Sequence, residues 1–332
     1  DIDINNTGLL GDTVNIGAGE EFGAANISVG TAASASGSVN QTSGRNTVTN
    51  VLTINSGGSY AMSGGSLVAG SVVNNGAFNY TGGAVLLTND DLAIDGTGLL
   101  GDTISISNEQ QFGSDNQSIG TAVEGSGSVI HNGGFNTIDG ALTIAAGGSY
   151  DFSGGTNSSY SSYSRISANQ LNVAGVFDQH GGRNIVQGLT VNDGGLYILS
   201  SGYNTTNTLT VAAGGTYTLD GGNLSISTSA VNNGAFNFNS GYLYLGNGHT
   251  MAAGELLGAD ESIQAGKYLT VGGVLDINTG ASLTLDGGYL SASSINDTGT
   301  FDFLSGRLKL SNLNISDTGL LGKHVTLNTV RN

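Results

Sequence analysis

Short apolar runs return along the whole chain, each closed by Gly-Gly or Asn-Gly, at a beat of about seven residues. From Leu52 they read Leu52-Thr53-Ile54, Ser59-Tyr60-Ala61-Met62, Ser66-Leu67-Val68-Ala69, Ser71-Val72-Val73-Asn74, Ala77-Phe78-Asn79-Tyr80 and Ala84-Val85-Leu86-Leu87. Alternation sends one set of side chains inward and the other outward. β-Branched and aromatic residues suit such strands, and Gly and Asn supply the corners between them. Runs this short cannot close a core as hairpins. Three per turn give a coil of roughly 20 to 22 residues, within the range of solenoid repeats. The pattern therefore predicts an all-β, single-stranded parallel β-helix (β-solenoid) of about 15 coils, three short strands to a coil. At a strand spacing of ~4.8 Å it would be about 70 Å long. A sandwich would show fewer, longer strands, and a helical repeat would not carry glycine at this density.

A longer period lies over the beat. Thr7-Gly8-Leu9-Leu10-Gly11-Asp12-Thr13 returns unchanged at Thr97 to Thr103. The match persists downstream, from Asn46-Thr47 to Asn136-Thr137 and from Gly57-Gly58-Ser59-Tyr60 to Gly147-Gly148-Ser149-Tyr150. Residues 1–90 and 91–180 thus read as tandem super-repeats within one continuous solenoid, 1–332. Later copies drift: Val73 to Tyr80 returns as Val231 to Phe238, and Thr318-Gly319-Leu320-Leu321-Gly322 restarts the opening motif. One tract, 155–164, breaks the beat and reads as a protruding loop. Its Tyr160 and Tyr163 could stack on a sugar ring, although a polar Ser/Tyr loop without a ligand is the simpler reading.

Composition narrows the function classes. Charged residues make up 10% of the chain, and 25 acidic against 8 basic residues leave a net charge of -17. Nucleic-acid binding needs clustered Lys and Arg and is disfavoured. Five of the cations, Lys267, Arg307, Lys309, Lys323 and Arg331, lie in the last third. No run approaches the ~20 apolar residues of a membrane span. With no cysteine there is neither disulfide nor thiolate metal site.

Catalytic patterns are missing from the sequence. His131, His180, His249 and His324 are scattered. The acidic pairs Glu20-Glu21, Asp90-Asp91 and Asp260-Glu261 would point to opposite faces of a strand, so they do not converge as glycosidase carboxylates must. The reading is of a non-enzyme without cofactor, with incidental calcium at acidic corners as the one metal considered. Thr53, Thr143, Thr190, Thr210, Thr270 and Thr284 recur in Leu-Thr triplets, but at intervals too unequal for an ice-binding face.

The tract from Leu209 to Leu224, Leu-Thr-Val-x-x-Gly-Gly-x-Tyr-x-Leu-x-Gly-Gly-x-Leu, resembles the secreted bacterial β-strand-repeat proteins. Autotransporter passenger domains and filamentous-haemagglutinin-type adhesins are among them. That resemblance implies a right-handed parallel β-helix, secretion and a surface or matrix role. The chain departs from it in having no Pro, hence no Asn-Pro motif, and in lacking a following translocator barrel.

Solenoid ends expose strand edges that template further pairing. Asp1, Ile2, Asp3 and Ile4 open on a repeat, and Val325 and Leu327 lie in the restarted copy; these are the candidate end-to-end contacts. The expectation is an extracellular structural protein, a cell-surface fibre, biofilm matrix or adhesin, whose copies stack head to tail. A glycan- or host-surface-binding module is the alternative, and a β-helix polysaccharide-degrading enzyme the second.

Overall fold

The computed structural model describes residues 1–31, 36–108, 110–121, 126–154, 164–313 and Leu320. The chain is all-β, with parallel strands stacked as a β-solenoid of about 14 turns. It divides into two compact units, Asp1–Val186 and Gln187–Asn332.

In the first unit each coil contributes three strands, and each strand pairs in parallel with its counterpart one coil on. Ile2–Ile4 pairs with Ile27–Val29, Thr13–Ile16 with Ser38–Gln41, and Glu21–Ala24 with the start of Arg45–Ile54. Parallel register brings like residues into columns. Val14, Val39, Tyr60 and Phe78 form one inward column, and Ile104, Val129, Tyr150 and Phe177 another. The rings of Tyr150 and Phe177 stack at 5.1 Å. Each fully buried apolar side chain contributes about 1.5–3 kcal/mol, and a stacked aromatic pair about 0.5–1.5 kcal/mol more.

The second unit repeats the plan with straighter columns. Tyr197, Tyr217 and Phe236 follow one another inside it, and Tyr197 and Tyr217 lie 4.7 Å apart and 10° from parallel. Strands here are longer than the three or four residues expected; Thr216–Asn232 runs for 17. It runs on through the corners on both sides of Asn223–Ile226, where the pairing register shifts but the ladder resumes. Coil length also varies. Cross-coil hydrogen bonds link residues 25 apart at Asn15 and Asn40, 21 apart at Ser128 and Ser149, and 19 apart at Thr218 and Asn237. The longer coils account for about 14 turns where a uniform coil gave about 15.

Among the long coils, those that open at Ile2, Leu92 and His249 carry a Leu-Leu-Gly turn, preceded directly by Gly in the first two and by Gly254-Glu255 in the third. Asp95 Oδ1 accepts from Thr97 N (2.9 Å), Thr97 Oγ1 (2.7 Å) and Gly98 N (3.2 Å), folding the segment between the first and second strands into a tight turn. Gly98 has no alternative there, because a Cβ would lie 1.9 Å from the Ala93 carbonyl oxygen. Asn5 does the work of Asp95 in the earlier copy, accepting from Thr7 N and Oγ1. In the second unit the turn is Ala252 to Gly258, closed by Glu255 N to Ala252 O and Gly258 N to Glu255 O.

Ladders break at these coils. The four-stranded sheet of Thr13–Ile16, Ser38–Gln41, Ser59–Met62 and Ala77–Tyr80 stops at its last member. Backbone pairing crosses to the next coil through Ala84–Leu86 and Gln111–Gly113. In the second unit a three-stranded sheet starts afresh at His249–Met251, while Gly241–Leu245 pairs onward to Lys267–Val271. Where the ladders part, the leucines take over. Leu100 faces Phe78, Asn79 and Tyr80 across a cleft of about 610 Å³. Leu256 and Leu257 are buried, with Asn232 Nδ2 of the preceding coil donating to Leu256 O at 3.4 Å. Leu9, by contrast, is 98% exposed.

Candidate functional site: an outward tyrosine column

The same parallel register that stacks the core also stacks what faces out. In the second unit Tyr203, Asn223, Tyr242, Tyr268, Tyr289 and Arg307 occupy successive positions of one outward column. Each follows a corner where the chain turns into the third strand of its coil. Gly241, Gly266, Gly287 and Gly306 make those turns with φ between 91° and 105°, a region closed to most side chains. The next inward residue is Leu243, Leu269, Leu290 or Leu308, which anchors the strand so that its neighbour must point outward.

Tyr242, Tyr268, Tyr289 and Arg307 line a groove of about 390 Å³ whose floor is Gly266, Gly287, Gly288 and Gly306. The floor exists because those corners carry no side chain. Tyr242 and Tyr268 stack at 4.2 Å and 13°; Tyr268 and Tyr289 open to 6.3 Å and 40°. The Arg307 guanidinium lies 5.5 Å from the Tyr289 ring centroid. Tyr242 and Tyr268 are 51% and 37% exposed. Among the described residues no carboxylate pairs with Arg307, and no hydrogen bond within the chain uses the phenol oxygens of Tyr242, Tyr268 or Tyr289. The neighbouring Asp286 accepts instead from Ser305 Oγ at 2.9 Å. The groove therefore offers apolar ring surface, free hydroxyls and one unspent cation.

No protein-family model, curated protein or solved structure matches the chain.

The sequence-predicted sites fare differently. Tyr160, Tyr163, Val325 and Leu327 lie outside the described residues. Ile2 and Ile4 sit in the strand Ile2–Ile4, with Ile4 fully buried and Asp1 and Asp3 exposed; Asp1 Oδ1 accepts from Asn26 Nδ2 at 2.6 Å. Each acidic pair has at least one member engaged in a turn or bridge. Asp91 Oδ1 accepts from both Asn116 nitrogens, Glu20 Oε2 accepts from Gly17 N, and Glu261 is paired with Lys267 at 2.7 Å. Among the described residues no three His, Cys, Asp or Glu side chains cluster as metal ligands, and no helix is long and apolar enough to cross a membrane.

One histidine, His131, is buried, and a second, His249, is half-buried. His131 Nδ1 receives the Tyr150 hydroxyl at 2.8 Å, and Nε2–H donates to Gly134 O at 3.3 Å, since that carbonyl can only accept. Burial holds its pKa down at about 4. His249, in a small cavity with Leu245 and Ile226, is likewise lowered to about 4 by burial, and its Nε2 has no partner among the described residues. Neither lines the tyrosine groove.

The tyrosine column escaped the sequence reading, although a signal exists. Gly241-Tyr242-Leu243, Gly266-Lys267-Tyr268-Leu269 and Gly288-Tyr289-Leu290 repeat a glycine ahead of Tyr-Leu. Their unequal spacing hid them, because coils of different length bring unequal intervals into one column.

Proposed function

We propose that the protein is an extracellular structural protein of a bacterial surface, an adhesin, fibre or matrix component that works by stacking coil upon coil, copies of itself included. The secreted β-strand-repeat proteins that it resembles point to the same setting. The observation that carries the reading is the leucine joint. Where two ladders part, Leu256-Leu257 is buried beneath the preceding coil and Leu99-Leu100 is half covered, whereas Leu9-Leu10 presents the same joint open. A surface that twice receives a coil within the chain is shaped to receive another. Ile2–Ile4, Thr13–Ile16 and Glu21–Ala24, in the same coil as Leu9, each pair in parallel with the following coil, the mode of pairing that the proposed contact would extend.

Such a contact is heterologous and does not close, so it propagates. Electron microscopy and sedimentation of the full chain test it against the Leu9→Asp, Leu10→Asp double variant. Both positions are exposed, and circular dichroism checks that the variant stays folded. Fibres from the parent chain that disappear in the variant are the expected result. A parent chain that remains a monodisperse monomer at high concentration overturns the proposal.

A further inference from the structure

We infer that the groove along Tyr242, Tyr268, Tyr289 and Arg307 is a binding site for an extended carbohydrate that carries a carboxylate. The inference goes beyond the structural reading and stands or falls separately from it.

Three observations converge on this ligand. First, the column repeats at the strand spacing, ~4.8 Å, and an extended β-linked pyranose chain advances by a similar step per sugar. Successive rings thus meet successive coils. Second, the walls are half-exposed tyrosines and the floor is glycine. Tyr242 and Tyr268 cover each other's facing surfaces, so a sugar chain meets their edges and, where Tyr268 and Tyr289 open to 6.3 Å and 40°, ring face; the three phenol oxygens are free to exchange hydrogen bonds with its hydroxyls. A peptide strand would need exposed backbone donors and acceptors along the groove, whereas those of the column strands are spent in the ladder.

Third, the charge is placed against the trend of the molecule. The chain carries -17, yet among the described residues Arg307 is the one charged residue lining the groove. Stacked over Tyr289, its planar guanidinium keeps an N–H edge for a bidentate carboxylate bond. Lys309 follows on the same outward face, in the column beside Ser291 and Thr270. The remaining acidity would repel a polyanion from most of the surface, so recognition falls to this groove.

The test uses the full chain and two probes, a β-1,4-linked oligomannuronate hexamer and the same hexamer with its carboxyl groups reduced to alcohols. Titration calorimetry, with tyrosine fluorescence as a second readout, is expected to show saturable binding of the acidic hexamer. The reduced hexamer should bind about ten- to a hundredfold more weakly, the worth of a charge-assisted bond. Arg307→Gln should erase that difference, and Arg307→Lys should restore only part of it. Tyr268→Ala should weaken both probes. Both side chains are exposed, so an unchanged thermal transition certifies the fold. Equal affinity for the two hexamers, or no saturable binding of either, overturns the inference. So does binding that survives Arg307→Gln and Tyr268→Ala together. Fibre formation is read independently, and its loss leaves this result intact.

Discussion

At the scale of the residue, the interior shows why a buried polar group is tolerated when it is answered. Tyr60 OH donates to Gln41 Oε1 at 2.6 Å and accepts from Asn46 Nδ2 at 2.9 Å. Burial raises the Tyr60 phenol well above its usual value, so it stays a neutral donor. In the next super-repeat Tyr150 and Asn136 stand in the same places, and His131 replaces Gln41. Neutral imidazole reproduces the amide: Nδ1 accepts where Oε1 did, and Nε2–H reaches Gly134 O where Nε2 of Gln41 reaches Gly44 O. The amide cannot be protonated; the imidazole can. Its pKa is about 4 in the folded chain, against about 6.5 unfolded. Between those values the unfolded state binds more protons, so stability rises with pH through this window. It is fully present above about 6.5 and lost as pH falls through about 4. The contribution is about 3 kcal/mol, and His249 adds a second of the same sign. His131→Gln should therefore keep the Tyr150 bond while removing about half of the loss due to the two histidines in that window. Urea midpoints from pH 4 to 7 in parent and variant measure it, and superimposable pH profiles would refute the assignment.

At the scale of the element, the Leu-Leu-Gly turn supplies its own control, because the same three residues stand in three surroundings. Leu256→Ala removes a fully buried side chain at the joint and should cost about 2–5 kcal/mol. Leu9→Ala changes a side chain in open solvent and should stay within about 0.5 kcal/mol in dilute, unassociated chain. Denaturant melts of the two variants decide whether burial or the turn itself makes the motif stabilising. The comparison also shows what was legible beforehand. Alternation at Ser59-Tyr60-Ala61-Met62 announced a strand with one set of side chains inward, and the structure buries Tyr60 and Met62. The duplication of Thr7–Thr13 announced a repeated unit. It could not announce that the unit interrupts two ladders, because pairing partners lie a coil away and only the coil length says which they are. The tyrosine groove was hidden for the same reason.

At the scale of the whole molecule, charge dominates. The chain is strongly acidic at neutral pH, with an isoelectric point near 4.1, and self-repulsion between copies opposes the stacking proposed above. Raising salt screens that repulsion over a Debye length of about 8 Å at physiological ionic strength. Association should therefore increase with salt at pH 7 and peak as pH approaches 4.1. Light scattering across a grid of salt and pH tests this, and association that weakens with salt would point instead to opposite charges meeting at the contact. The sequence resolved the fold class and the acidic surface at this scale, since both follow from pattern and composition. It did not resolve the division into two compact units, which no shift in composition marks.

The interrupted ladders have a consequence for how such a chain changes length over generations. An insertion in the middle of an ordinary coil must keep three strand registers at once. At the leucine joint a single backbone ladder, Ala84–Leu86 on Gln111–Gly113 or Gly241–Leu245 on Lys267–Val271, carries the register, and a greasy corner does the rest. Whole modules bounded by that corner can be duplicated or dropped with one hydrogen-bonded seam to rejoin. The identical Thr7–Thr13 and Thr97–Thr103 tracts have the form of an edit made at such a seam.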